Sequence, residues 1–559
     1  MTMKFKHILT VSAAMLLALQ SASAQNLDPT VVVNKTYEGK IMQVHKPSFE
    51  MTVPDSLTKF ELDFDYLVFE KPYKGAEGFS PYVFNMKPAA EVHNPKKLFL
   101  NVGAGYTAHP TLDLVWSPFR SKSFRMDVYA SNRSYVGKYW DLQQIAPSEG
   151  AAWKGYDLKS DAGVDMRYEA GLWAARLDVS YYGLAAKDYG KSRMYDALDV
   201  KLGVSSRPQS GSYFKYDVQA AYRFAKDKLN YGDASYGRLA ENVVDLDVSM
   251  GQVFNDEHGV MVDLDVDYAV YSHDTLSSSV GQVAIVPRYV LQKGLLTLDA
   301  GVRIAPVIRS KKNDGLFGSR GQLVYPDVKV WFKVIPDAMR LYAFIGGGNK
   351  INTYASLLEK NHHFGPSFAM PGHALMDVTV ERLSASVGLE GRIGSIFSYD
   401  LRTGYVNYAN ALLDAAVIAD QYLPAVGYGA YQKYYAAFDW CLDTEPFRFD
   451  GNVVYTNAWG LEGAEGLFLP AALTADVSAE YNWKRRIYAG VDCELSTARS
   501  GAVIDIPGFV DLGVYFEYVI NRRFSVWARG GNLLNMTIQR NPLYAEKGVS
   551  ATVGICLNL

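Results

Sequence analysis

Residues 260–271 read VMVDLDVDYAVY, with aspartates at 263, 265 and 267 set between valine, leucine and tyrosine. Three readings compete: a calcium loop, a two-metal catalytic cluster, or one face of a β-strand. The calcium loop fails on its own pattern, because Tyr268 stands where the sharp turn needs glycine and no glutamate closes the loop. Side chains on one face of a strand lie about 7 Å apart, too far for one small ion without help from a neighbour. The strand reading accounts for every position. With a period of two, Val260, Val262, Leu264, Val266, Tyr268 and Val270 share one face, and Asp263, Asp265, Asp267 and Ala269 share the other.

The same sorting recurs along the chain. Val244, Leu246, Val248 and Met250 oppose Asp245, Asp247 and Ser249; Leu296, Leu298, Ala300, Val302 and Ile304 oppose Asp299 and Arg303. Val328, Val330, Phe332 and Val334 oppose Asp327, Lys329 and Lys333, and Val510, Leu512, Val514 and Phe516 oppose Asp511, Gly513 and Glu517. From Lys97 onward there are about 22 such segments, and no long stretch keeps a helical period. Their connections alternate. After every second segment the turn is tight, as at SKS 121–123, NDE 255–257 and NRR 521–523. The intervening connections are longer, reaching about twenty residues between the third and fourth segments, about twenty-five over 352–377 and nearly twenty over 410–426. Short turns at one end and long loops at the other are the mark of a transmembrane barrel. A lysine or arginine on the lipid face at mid-bilayer costs about 2–4 kcal/mol, so the apolar face must meet hydrocarbon and the ionised face the lumen.

A large soluble barrel or sandwich would show the same alternation turned inside out. Against it stand the loop asymmetry and the export signal. Residues 1–24 combine Lys4 and Lys6, an apolar run from Ile8 to Leu19 and an Ala22-Ser23-Ala24 ending, the form of a signal peptide too short to span a membrane. Tyrosine also recurs at segment ends, at Tyr106, Tyr168, Tyr181, Tyr222, Tyr268 and Tyr518, where an aromatic girdle belongs. The chain holds 39 Tyr against 26 Phe and 9 Trp, a bias suited to an oil–water boundary. A net charge of -3 with interspersed signs offers no basic stripe for nucleic acid. Cys441, Cys493 and Cys556 are too few for a disulfide framework and lie in strand-like runs.

The expected architecture is therefore all-β: a transmembrane antiparallel β-barrel over 97–559, preceded by a signal peptide at 1–24 and a short periplasmic segment at 25–96. It belongs in a bacterial outer membrane, with membrane lipid and the barrel-assembly machinery as partners. Asp245, Asp247, Asp263, Asp265 and Asp267 are candidate lumen-facing acids, able to attract cations unless arginine or lysine neutralises them. His362, His363 and His373 lie in the longest loop without cysteine or nearby acids, so they are expected to be solvated and no metal site is expected. No nucleophile elbow, zinc-protease motif or P-loop occurs, so neither catalysis nor a cofactor is expected.

The closing stretch, RFSVWARGGNLLNMTIQRNPLYAEKGVSATVGICL from Arg523, resembles the last strands of TonB-dependent receptors, with Asn532-Leu533-Leu534-Asn535 leaving one strand and Tyr544 and Gly548 entering the next. The final residues, with Gly554, Leu557 and Leu559, resemble the terminal insertion signal of outer-membrane barrels, although Leu replaces the usual aromatic end. The resemblance implies twenty-two strands and nutrient uptake driven by an inner-membrane energy-coupling protein. It also implies a plug of well over a hundred residues, and no plug-like succession is legible in 25–96. Asp28, Thr30, Val31, Val32 and Val33 resemble the segment that the coupling protein grips, although the residues by themselves read first as an extended periplasmic lead. A lumen this wide needs a filling. The segment 25–96, the long loops folded inward or a partner protein could supply it. Transport of a nutrient or ligand across the outer membrane is the first reading, with a membrane-embedded subunit of an envelope complex and a passive porin-like channel as the alternatives.

Overall fold

A computed structural model describes residues 97–559 save short connections, the longest at 141–151, 310–321 and 365–376. The signal peptide, the segment 25–96 and the box at 28–33 lie outside the described residues. Among the described residues twenty-five strands follow in order from β1 (Leu98–Gly105) to β25 (Ser550–Asn558). β11 (Leu296–Ile304) and β12 (Val307–Arg309) both pair with β10 (Ser277–Lys293) and fill one position, while β21 (Arg499–Ser500) and β22 (Asp505–Ile506) form a separate hairpin within a loop. The others pair antiparallel in sequence order and close through β1 and β25 into a barrel of 22 strands.

Parity sorts the wall as polarity requires. Val260 and Val262, on β9 (His258–Ser272), are 53% and 42% exposed on the outside, while Asp263 and Asp265 on the other face take part in ion pairs. All six tyrosines of the expected girdle are exposed. The tight turns are confirmed at 121–123, 255–257 and 522–523.

Some of the long loops prove to be strand. β16 (Phe397–Ile418) and β17 (Tyr422–Asp443) run 22 residues each, so the expected loop over 410–426 is a hairpin that outruns the membrane. The ladder survives a register shift between Tyr408 and Ala411. Likewise β3 (Phe124–Trp140) and β4 (Ala152–Glu169) extend toward each other and shorten the connection between them to 141–151. Backbone pairing continues beyond the hydrocarbon because each added ladder pair keeps its N–H and C=O groups satisfied.

Two glycines face each other at the closing seam of the barrel. Gly103 of β1 lies opposite Gly554 of β25, and Gly554 lies opposite Trp527 of β24 (Phe524–Gly531). The indole rests across both glycines and donates its Nε1–H to Asn101 Oδ1 at 2.5 Å. A Cβ on Gly554 would overlap the Trp527 ring and stand 2.5 Å from the Val102 carbonyl oxygen. Gly554→Val should therefore abolish or sharply slow closure, since overpacking of this kind costs about 1–3 kcal/mol or more. The readout is the fraction of chain that keeps its folded mobility on an unheated detergent gel, and a wild-type fraction would refute the assignment. Leu557 lies opposite Leu100, and Leu559 exchanges backbone hydrogen bonds with Leu98, so the end of the chain is part of the closing ladder.

Candidate functional site: the lumen wall and its inward loops

The five candidate acids sit together on β8 (Ala234–Phe254) and β9. Asp245 faces Asp267, Asp247 faces Asp265, and Ser249 faces Asp263 across the ladder. Like charges directly opposite destabilise a sheet unless something offsets them. Arginines from neighbouring strands offset part of the set. Arg288 of β10 bridges Asp263 at 2.6 Å and Asp299 at 2.8 Å, and Arg303 of β11 reaches Asp265 at 2.7 Å. Asp267 accepts from Gln282 Nε2 at 2.9 Å. No ion pair to Asp245 or Asp267 occurs among the described residues, so the paired acids nearer the outer end keep a negative bias. Parity alone turns Arg303 inward. Arg288 follows from the same rule, but which acid it meets depends on strand register.

Nearer the outer end, the inward face of the wall changes character. Ala225 and Leu229 of β7 (Tyr213–Tyr231), Leu239 and Val243 of β8, and Ala269 and Tyr271 of β9 are all buried. Inward position does not make them polar, because a protein segment covers them. In the connection between β14 (Met339–Ile351) and β15 (Val378–Ile393), residues 352–362 and Phe364 turn into the lumen and form about two helical turns, α1 (Tyr354–Lys360), an element with no helical period to announce it. Tyr354, Leu357, Leu358 and Phe364 complete the apolar cluster against that wall.

Polar contacts hold α1 at both ends. Thr353 caps it by accepting from the Ser356 N–H, and Glu241 of β8 accepts from the Tyr354 N–H at 2.8 Å. The Tyr354 hydroxyl donates to Asp227 of β7. Burial, reinforced by that carboxylate, holds the Tyr354 phenol well above the usual tyrosine range, so it remains a donor. Beyond the helix, Arg193 of β6 (Lys191–Ser206) donates to the carbonyls of His362 at 2.7 Å and Phe364 at 3.0 Å and pairs with Asp227 at 3.2 Å. His362 is only 3% exposed, with Nε2 at 2.9 Å from Asp157 Oδ2, which corrects the expectation of a solvated side chain. Its partner comes from β4, some 200 residues earlier, and no local pattern could have indicated it. His363 and His373 lie outside the described residues. Among the described residues no three His, Cys, Asp or Glu side chains converge as a metal ion requires.

A second inward loop follows the Asn532-Leu533-Leu534-Asn535 motif. Asn532 and Asn535 take positive φ, 47° and 51°, a conformation that asparagine tolerates, and the Asn532 side chain accepts from the Met536 N–H. The turn sends Arg540 onto the inner wall, where it pairs with Glu494 of β20 (Ile487–Ser496), Asp511 of β23 (Phe509–Asn521) and Glu546. Arg499 of β21 and Lys360 of α1 both pair with buried Asp414 of β16, at 3.0 and 3.6 Å. Long loops therefore occupy part of the lumen, one of the three fillings expected.

A closed 22-strand barrel with an apolar exterior and an ion-paired interior is an outer-membrane β-barrel, and its fold is that of the TonB-dependent receptors. No protein-family model and no curated protein matches the chain. Solved structures do. The FrpB iron transporter from Neisseria meningitidis superposes with a TM-score of 0.63 at 9% identity, over 84% of this chain and 82% of that one. The siderophore receptor PirA from Acinetobacter baumannii gives 0.60 at 11% identity, over 84% and 81%, and the copper transporter OprC gives 0.58 at 12%, over 84% and 82%. At such identities the likeness is one of fold.

Proposed function

We propose that this chain carries a nutrient across the outer membrane through its lumen, with the Asp28 to Val33 segment gripped by an inner-membrane energy-coupling protein. The observation that carries the reading is the wall itself: a barrel too wide for its own side chains to fill, lined by ionised groups and entered by loops from its outer end. Barrels of the same fold include iron and copper transporters, which supports uptake over a purely structural role. The Asp245–Asp267 pair, which has no ion-pair partner among the described residues, favours a cargo with positive charge.

Growth of a deletion strain on single limiting nutrients tests this. The wild-type chain should restore growth, a chain lacking residues 28–33 should not, and Asp245→Asn with Asp267→Asn should slow uptake of a cationic nutrient more than of a neutral one. Equal growth with and without the gene on every nutrient would discard transport in favour of a membrane-embedded subunit of an envelope complex.

A further inference from the structure

α1 has seven residues, far below the roughly twelve to fifteen at which an isolated helix becomes even marginal in water. Its helical state therefore depends on the wall. The wall in turn is built to receive it. On the consecutive strands β7, β8 and β9 the inward face is ionised at Arg223, Asp245 and Asp267, and nearer the outer end it becomes apolar at Ala225, Val243 and Ala269. Left uncovered, that apolar band would face water.

The clamps on α1 are different in kind. Arg193, Asp227, Glu241 and His362 are each 5% exposed or less, and all are groups that water solvates well. Desolvating them offsets much of what their mutual contacts contribute. Once the segment lifts, the same groups regain water in the lumen. Apolar contacts thus favour the docked segment, and rehydration of the clamps lowers the cost of releasing it.

We propose that residues 352–362 with Phe364 form a latched lid across the outer part of the lumen. Docked, it covers the apolar band beneath it; released, it exposes that band and widens the passage. The lid has two states because its helix and its dock form together. This concerns the barrel alone and holds whether or not the cargo proposed above is correct.

The test uses the full mature chain, folded in detergent micelles, with Cys441, Cys493 and Cys556 replaced by alanine. A single reporter, Ala225→Cys, is placed under the lid at a site now fully covered, and its reaction with a charged, water-soluble maleimide is timed. With the lid intact, labelling should be slow. Leu357→Ala combined with Tyr354→Ala should speed it at least about tenfold. A second reporter, Ser525→Cys, buried on the wall away from the lid, should keep its rate, which separates lid release from loosening of the whole barrel. Gel mobility without heating checks that each variant is folded. If Ala225→Cys cannot fold, Ala269→Cys, also fully covered, takes its place. Equal labelling rates with the lid intact and weakened, or acceleration at both reporters alike, would overturn the proposal. Growth on limiting nutrients reads a different quantity, so loss of the transport reading would leave this result untouched.

Discussion

Val262→Arg should destabilise the barrel by about 2–4 kcal/mol, the range for arginine at mid-bilayer on a lipid-facing strand position. Val262 is 42% exposed on the outer face of β9, facing Met250 on one side and Pro287 on the other. None of these can pair with a guanidinium. The same residue introduced at Gln219 should cost close to nothing, because Gln219 faces the lumen opposite Asp247. Urea unfolding of the barrel in lipid vesicles, followed by tryptophan fluorescence, measures both. Equal losses from the two variants would mean that the wall had been assigned inside out.

Arg193→Met should release the inward loop. Arg193 holds two carbonyls of the loop, pairs with Asp227 and lies 4.4 Å from the centre of the Phe364 ring. Methionine keeps the stem and removes the charge, leaving Asp227 buried with Tyr354 as its donor from the loop. Breaking a buried pair from one side costs about 3–5 kcal/mol, most of it from the charge left behind. Amide hydrogen exchange across 354–362 should then accelerate by about a hundredfold or more. Adding Asp227→Asn should recover part of the protection, because the stranded charge is gone. If the double variant exchanges faster than the single one, the pair does not hold the loop in this way.

Alternation in VMVDLDVDYAVY is enough to place its aspartates on one face, and the export signal and loop asymmetry decide which face meets lipid. The tight turns were equally legible, as at 121–123, 255–257 and 521–523, because short polar stretches interrupt the alternation there. Loop lengths were less so. The 410–426 stretch lacks a clear break between inside and outside because its strands continue past the membrane, where hydrocarbon no longer enforces the alternation. The lid was the hardest part to foresee. Val243, Ala269 and Tyr271 obey parity as inward residues, yet parity does not say that a loop will bury them. His362 looked solvated because Asp157 and Arg193 approach it only when β4 and β6 stand beside the folded loop.

Sequence by itself determined the barrel: its class, strand number and phase. The reason is that side-chain alternation is local to each strand, and a lipid exterior imposes one sign on it everywhere. Only the tertiary structure decided which acids gain an ion-pair partner and what enters the lumen. Those outcomes depend on how far each strand is shifted against its neighbour, which brings Arg288 and Arg303 to Asp263 and Asp265 while Asp245 gains no ion pair among the described residues. They depend equally on a loop turning inward to meet wall residues more than a hundred positions away, a contact that no period within one segment encodes.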